Sequence, residues 1–454
     1  MTYSIRILLV ICSLAFAKAY SQQPNPDSFT FSLEEAITYG LENNYQALNA
    51  KRDIAKALKQ KWETTSRGLP QVNASVNYQN QLKQPVTPLP GEIAGGAPGT
   101  FVPVVFGPAQ SMNLTGTLSQ LIFDGSYIVA LEASKTFLDF SKNADNKTQL
   151  EVRKGIINAY GGVLIAQENV AILTRNRDVV QKNLNEVTKI FENGLAEEED
   201  VEQLQITLAQ LNNQLTSAQR QQDIAMNMFQ LALGIELNTT VVLTDNLESL
   251  TIKNIDPSIT KNALELESNV DYQIAYNFTQ QRRLEYKLEK SKGLPTINGF
   301  VNYGTQTFDN DFVFFNNNTQ WFQQSIAGIS INMPIFSSYG AKAREARAKI
   351  AWDQAETDLD RTQQEILLAY ETALNNYQTA IDNYSTSKDN LALAERIETK
   401  NTIKFKEGIG TSFDLRQAQT QLYTTQGQYL SSMYQVITEK ANLETILNTP
   451  NFKN

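Results

Sequence analysis

Along this chain, short stretches of period two alternate with very long stretches of period three and a half. Val72, Ala74, Val76 and Tyr78 alternate with Asn73, Ser75, Asn77 and Gln79. Met112, Leu114, Gly116 and Leu118 alternate with Asn113, Thr115, Thr117 and Ser119. The same pattern returns in the second half at Ile297, Gly299, Val301 and Tyr303, and again at Ala327, Ile329, Ile331 and Met333. Alternation of this kind predicts strands with one apolar and one polar face. A polar face of Asn, Ser and Thr suits a water-filled lumen. An apolar face ending in Tyr78, Phe123, Tyr303 and Phe336 suits lipid bounded by aromatic girdles. The same pattern also fits a water-soluble antiparallel sheet with one solvated face. Two features favour lipid: the strands come in hairpin pairs, and the first pair is joined by a Pro/Gly-rich loop at about 84–109.

Between the strand pairs the pattern becomes heptad. Val152, Ala159, Ala166, Leu173, Val180 and Val187 are spaced by seven. Ile156, Val163, Val170, Leu184 and Phe191 form the partner positions, with an interruption at Arg177. In the second half, Ile366, Ala373, Ala380, Ser387 and Ala394 share one row, and Tyr370, Tyr377, Tyr384 and Leu391 its neighbour. A helix of some 65 residues rises roughly 100 Å, far beyond a globular helix. Many seam residues are Ala, Ser or Thr, so backbones can approach closely. The Gln-, Asn- and Thr-rich outer faces suit either an aqueous channel or an ordinary solvated coiled coil.

The halves also repeat short signatures. Phe191-Glu192-Asn193-Gly194-Leu195 leads into Asp200-Val201, and Phe405-Lys406-Glu407-Gly408-Ile409 leads into Asp414-Leu415. Gly68-Leu69-Pro70 recurs as Gly293-Leu294-Pro295. The chain therefore reads as two copies of one architecture, residues 22–250 and 251–454. In the first, a helix precedes a strand pair at about 71–123, a long helix at about 125–191 and a helix at about 197–233. In the second, a helix at about 260–292 precedes a strand pair at about 296–336, a long helix at about 338–405 and a helix at about 411–447.

Only four strands are legible this way, and the smallest transmembrane barrels need about eight. Open strand edges are not tolerated in lipid. If these strands span a membrane, the barrel must be shared between subunits, and a cyclic trimer would supply about twelve strands.

Composition narrows the chemistry. The 454 residues carry a formal net charge of -9, no histidine and one cysteine. The acidic balance gives no support for nucleic-acid binding. Without histidine there is no Ser-His-Asp or Cys-His catalysis and no histidine-ligated metal. No acidic pair forms a cleft pattern, so an enzyme is not expected. Residues 1–21 read as a signal peptide: Arg6, an apolar run from Ile7 to Ala17, and small residues at Ala19 and Ser21. Cys12 would leave with it, so no disulfide is expected. No later segment reads as a transmembrane helix, so membrane insertion would be by strands.

Taken in order and duplicate, these motifs resemble the outer-membrane efflux protein family, the TolC-like channels. The resemblance covers essentially the whole mature chain. It rests on the two Gly turns with their following Asp, the two Gly-Leu-Pro triplets, and Leu121-Ile122-Phe123-Asp124-Gly125 matched by Met333-Pro334-Ile335-Phe336 with Gly340. It implies an α+β membrane protein: a homotrimeric 12-stranded transmembrane β-barrel, four strands per protomer, continuous with a long α-helical barrel crossing the periplasm. The segment from about 233 to 268 would form a mixed belt. Such a protein would sit in outer-membrane lipid of a Gram-negative bacterium, without cofactor. It would be the exit duct of a tripartite efflux or type I secretion system, working with a periplasmic adaptor and an inner-membrane transporter.

The resemblance also implies site residues. Asn193, Gly194 and Leu195 with Gly408, Ile409 and Gly410 would be the tips that meet the adaptor, although Gly by itself also serves the turn. Asp200, Asp414 and Gln417 would lie at the periplasmic entrance. Gln417 stands where some members have a second Asp, and Gly410 where some have a latching Arg. Asp200 and Asp414 also have a local reading, as acids in the first turn of a helix. Thr411 before Asp414 resembles a capping box. The competing class is a secreted coiled-coil trimer without channel activity.

Overall fold

The computed structural model describes residues 28–237, 239–259 and 263–450. The expected signal peptide, with Cys12, lies outside them. In chain order the elements are β1 (Ser28–Phe31), α1 (Leu33–Asn43), α2 (Tyr45–Ser66), β2 (Gln71–Asn80), β3 (Val86–Pro90), α3 (Gly91–Ala94), β4 (Phe101–Val105) and β5 (Gln110–Asp124). Then come α4 (Gly125–Glu192), α5 (Glu198–Leu233), β6 (Thr240–Leu243), α6 (Leu247–Lys253), α7 (Val270–Ser291), β7 (Thr296–Asp309), β8 (Phe322–Asn332), α8 (Gly340–Lys406) and α9 (Ser412–Ile446). The long helices α4 and α8 run 68 and 67 residues without a break.

Packing divides the chain crosswise to its sequence repeat. One compact unit takes the described residues up to Leu48 with those of Gln149–Ala263 and Tyr370–Pro450. The other takes Asn49–Thr148 and Leu264–Ala369. Each unit thus draws on both halves of the sequence.

The second unit is built on an antiparallel sheet of order β2-β5-β7-β8. Its register lines up the alternating residues. Val72 lies opposite Leu118, Leu118 opposite Val301, and Val301 opposite Ala327. On the other face, Asn73, Thr117 and Asn302 share a row. A slip of one residue would invert every side chain, so this register is what turns four alternating segments into one two-faced sheet. One β-bulge interrupts it, between Leu121 and Phe123. Charge is nearly absent: β2 and β8 hold none, and β5 and β7 only their final Asp124 and Asp309.

Several expectations are corrected here. Strands number more than four, because β3 and β4 form a separate antiparallel ribbon inside the Pro/Gly-rich loop. β1 and β6 form a parallel pair, far apart in sequence. The helix expected from about 260 begins at Val270, where the Asn269 side chain accepts the Asp271 and Tyr272 backbone N–H groups as an N-cap. The last strand ends at Asn332 rather than 336, because Pro334 offers no N–H to a ladder. Phe336 therefore lies beyond the sheet and is exposed. One helix, α4, does contain a stretch long and apolar enough to cross a membrane. Its Ile156, Tyr160 and Val163 are instead fully buried in the protein.

The first unit holds the main hydrophobic core. Ile156, Tyr160, Phe229, Leu233, Tyr377, Val436 and Leu443 pack together there with the β1–β6 pair. The seam of α4 continues past Arg177 through Asn176, Val180, Asn183 and Val187, all buried. Asparagine rungs thus replace apolar ones, while the expected partner Phe191 is exposed.

Candidate functional site

Two tight turns, α4–α5 and α8–α9, carry the residues singled out from the sequence. Both are built alike. Gly194 has φ +75° and Gly408 φ +72°, the left-handed conformation that only glycine adopts cheaply. In the first turn the Gly194 N–H donates to Phe191 O at 2.8 Å and the Leu195 N–H to Ile190 O at 3.0 Å. In the second, Gly408 N–H donates to Phe405 O at 3.1 Å and Ile409 N–H to Lys404 O at 3.0 Å. This paired pattern closes a helix C-terminus by satisfying its last carbonyls. Asn193 reinforces the first turn, its Nδ2 donating to Lys189 O at 2.7 Å. Gly410 does not need left-handed backbone. A Cβ there would lie 3.0 Å from Lys404 Cβ, so the residue serves close approach.

Both turns leave one aliphatic side chain standing in solvent. Leu195 is 81% exposed and Ile409 77%. The turns meet at their bases: the Arg416 guanidinium of α9 donates to Gln203 Oε1 of α5. Lys406 Nζ also lies 3.1 Å from Glu186 Oε2, tying the end of α8 to α4.

The three entrance candidates divide. Asp200, half-buried, lines a narrow crevice with Gln203, Leu204, Phe405, Leu415 and Arg416. Asp414 and Gln417 are exposed and are not part of that crevice. The Asp414 side chain completes a capping box. Its Oδ2 accepts from Thr411 Oγ1 at 2.7 Å and from the Thr411 N–H at 3.4 Å, while the Asp414 N–H donates to Thr411 Oγ1 at 3.1 Å. At α5 the N-cap is Glu197, whose side chain makes no capping bond. There Glu198, Glu199 and Asp200 place negative charge against the positive end of the helix.

Arg416 was missed from sequence. Its one signal was a cation in the early turns of a helix, the end where positive charge is disfavoured. Such a residue is held by a tertiary partner, and here that partner is Gln203. Among the described residues, no group of three or more Cys, Asp or Glu side chains is placed to hold a metal ion.

The whole arrangement has relatives. The sequence signature described as "Outer membrane efflux protein" matches residues 37–235 and 264–449. The chain belongs to the outer membrane efflux protein family. It is a protein of the Gram-negative outer membrane that reaches into the periplasm, and its role is that of an efflux channel. No curated protein matches this efflux protein by sequence. Solved structures do match in fold. CusC superposes with a TM-score of 0.71 at 18% identity, covering 91% of each chain. The Campylobacter jejuni CmeC outer membrane channel gives a TM-score of 0.73 at 16% identity, over 91% of this chain and 85% of its own. VceC from Vibrio cholerae gives 0.69 at 15% identity, over 91% and 95%.

Family membership gives the two-faced sheet its setting. Val72, Val76, Ile329 and Ile331 lie on one face of it and are more than half exposed, an apolar face of the kind that outer-membrane strands turn to lipid. At the loop end of β7, Phe312 and Phe314 stack edge-on against Tyr78, with ring centroids 5.4 and 5.7 Å away.

Proposed function

We propose that this efflux protein is the outer-membrane exit duct of a tripartite efflux or type I secretion assembly, working as a homotrimer. The observation that carries the trimer is the four-stranded sheet with open edges. Among the described residues β2 pairs only with β5, and β8 only with β7. Four strands cannot enclose a lumen, and free edges are not stable in lipid. Joining β8 of one copy to β2 of the next closes about twelve strands in three copies. The sequence repeat then supplies two structural copies per protomer, residues 22–250 and 251–454.

The tips are read as the adaptor-docking surface. Leu195 and Ile409 support this reading, since each is a large apolar side chain held out by a rigid glycine turn with no core to fill. Asn193, Gly194, Gly408 and Gly410 set the geometry of those turns. A periplasmic adaptor would cover the tips and join the duct to an inner-membrane transporter. Asp200, Asp414 and Gln417 are assigned to the entrance, where carboxylates in a ring would favour cations.

Two experiments test the reading. The first is the native mass of detergent-extracted protein: a trimer is expected, and a monomer would end the shared-barrel reading. The second is Leu195→Asp combined with Ile409→Asp. The double variant should assemble normally in the outer membrane and fail to support export. Normal export by that variant would remove the docking role.

A further inference from the structure

Each strand of the four-stranded sheet is joined to a helix, and the helices keep the order of the strands. α2 leads into β2, β5 into α4, α7 into β7 and β8 into α8. Side-chain contacts join neighbours in that order. The Tyr127 hydroxyl of α4 donates to Thr65 O of α2 at 3.0 Å. Lys287 Nζ of α7 lies 3.0 Å from Glu132 Oε1 of α4. The Thr279 hydroxyl of α7 donates to Ala355 O of α8 at 3.1 Å. Helices α2 and α8 are therefore the flanks of this layer, continuing the open edge strands β2 and β8.

The two flanks turn different faces outward. On α2, Gln60 and Thr64 line a groove shared with α4 and α7, whereas Leu58 and Trp62 are 50% and 63% exposed. A bulky ridge of this kind on a helix marks a contact surface. On α8, the Trp352 ring lies 5.9 Å from that of Tyr286 on α7, and Ala348 and Ala355 are buried. Helical periodicity puts Ala343, Ala346 and Ile350 on the opposite side, and all three are exposed. One flank thus carries a ridge and the other a small-residue hollow.

The levels match. Counted from the sheet-proximal helix ends Ser66 and Gly340, Trp62 lies about 6 Å down α2, and Ala343 and Ala346 about 5 and 9 Å down α8. Leu58 lies about 12 Å down and Ile350 about 15 Å. Charge matches as well. Residues 51–61 of α2 hold five bases and one acid, and residues 353–360 of α8 hold four acids and no base. Lys349 and Arg361 pair with Asp353 and Asp358, which leaves Glu356 and Asp360 to a partner. Arg52 lies about 21 Å down α2 and Glu356 about 24 Å down α8.

We propose that α2 of one copy docks on α8 of the next, with Trp62 seated over Ala343 and Ala346, Leu58 against Ile350, and the basic stretch of α2 facing the acids of α8. The two faces are unlike, so the contact is heterologous and builds a ring. The inference rests on the homotrimer reading and adds to it the side chains by which one copy selects the next.

The test places cysteines in the full chain, whose one native cysteine, Cys12, falls in the expected signal peptide. Trp62→Cys combined with Ala346→Cys, oxidised in outer membranes, should give covalent trimers on denaturing gels. Gln60→Cys combined with Ala346→Cys moves one thiol to the inward groove and should give none. Trp62→Glu should lower the ratio of trimer to monomer in detergent about tenfold or more, and Trp62→Phe should largely retain it. A trimer by native mass without the cross-link between positions 62 and 346 would overturn the proposal and leave the duct reading standing, the ridge then belonging to lipid or to another protein. A monomer would end both. Equal cross-linking by the two cysteine pairs would overturn the proposal, as would a Trp62→Glu trimer as stable as the parent.

Discussion

The hydroxyl of Tyr377, on α8, donates to the backbone carbonyl of Asn254 at 2.6 Å. It also accepts the Asp256 N–H at 2.9 Å. On α4, Tyr160 makes a corresponding contact with the connection between β6 and α6. Its hydroxyl donates to Asp245 Oδ2 at 2.8 Å, and the same carboxylate oxygen accepts the Leu33 N–H at 2.8 Å. Each long helix thus plants one fully buried tyrosine against irregular backbone that has no ladder of its own.

Tyr377→Phe should therefore destabilise the protein by ~1–3 kcal/mol, because it strands a backbone carbonyl and an N–H together. Tyr160→Phe should cost a similar amount. Thermal unfolding in detergent would measure both.

The same tyrosines predict an alkaline limit. Burial pushes the Tyr160 hydroxyl well above its ordinary value near 10, and its bond to Asp245 adds to this. Burial raises Tyr377 as well. Folding thus holds these protons more tightly than the unfolded chain does. Their contribution is whole below about pH 10, the unfolded value, and is lost as pH rises through the folded values. The unfolding temperature should fall above pH 10, and the fall should be shallower in the double Phe variant. A parallel fall in both proteins would assign the alkaline limit to other groups.

Glycines at matching places in the two halves should respond differently. A Cβ on Gly68 would lie 2.2 Å from the Tyr127 hydroxyl, whereas on Gly293 its nearest neighbour would be Lys290 O at 3.5 Å. Gly68→Ala should reduce the yield of assembled protein, and Gly293→Ala should leave it near wild type. Quantifying folded protein in outer-membrane extracts would separate them.

The left-handed glycines make a second contrast. At Gly194 and Gly408 a Cβ would meet open space, so Ala there should cost only the backbone strain, ~1–2 kcal/mol. At Gly234, φ is +78° and a Cβ would also lie 2.4 Å from Asn43 O. Gly234→Ala should be the most damaging of the three in a thermal-unfolding series.

Asp414 has two uses that a single change can separate. Asn retains an acceptor for the Thr411 capping bond but has no charge. Asp414→Asn should keep the helix stability within ~0.5 kcal/mol and weaken block of channel conductance by trivalent cations in a planar bilayer. Unchanged block would leave the capping box as the whole role of this residue.

Much of the fold was legible because period two and period three and a half cannot be confused over long runs. The strand pairs, the two long helices and both glycine turns came from these periods and from Gly194 and Gly408. The β1–β6 pair was not legible: each strand has four residues, with no alternation long enough to register. The ribbon of β3 and β4 is not legible either, since Pro88, Pro90 and Pro103 argue against strand. At the tips, Leu195 and Ile409 could be picked out beforehand, but Arg416 could not, because its partner Gln203 lies more than two hundred residues away.

The sequence by itself determined which segments are strand and which are helix, where the chain turns back, and that no histidine chemistry is present. These follow from local periodicity, backbone sterics and composition. Only the tertiary structure decided that packing runs across the repeat, that Asn176 and Asn183 fill seam positions, and that Asp200 and Asp414 have different surroundings. Those outcomes depend on which side chains meet across large sequence separations. Two like segments acquire different roles there, as Gly68 does against Tyr127 while Gly293 meets nothing closer than its own helix end.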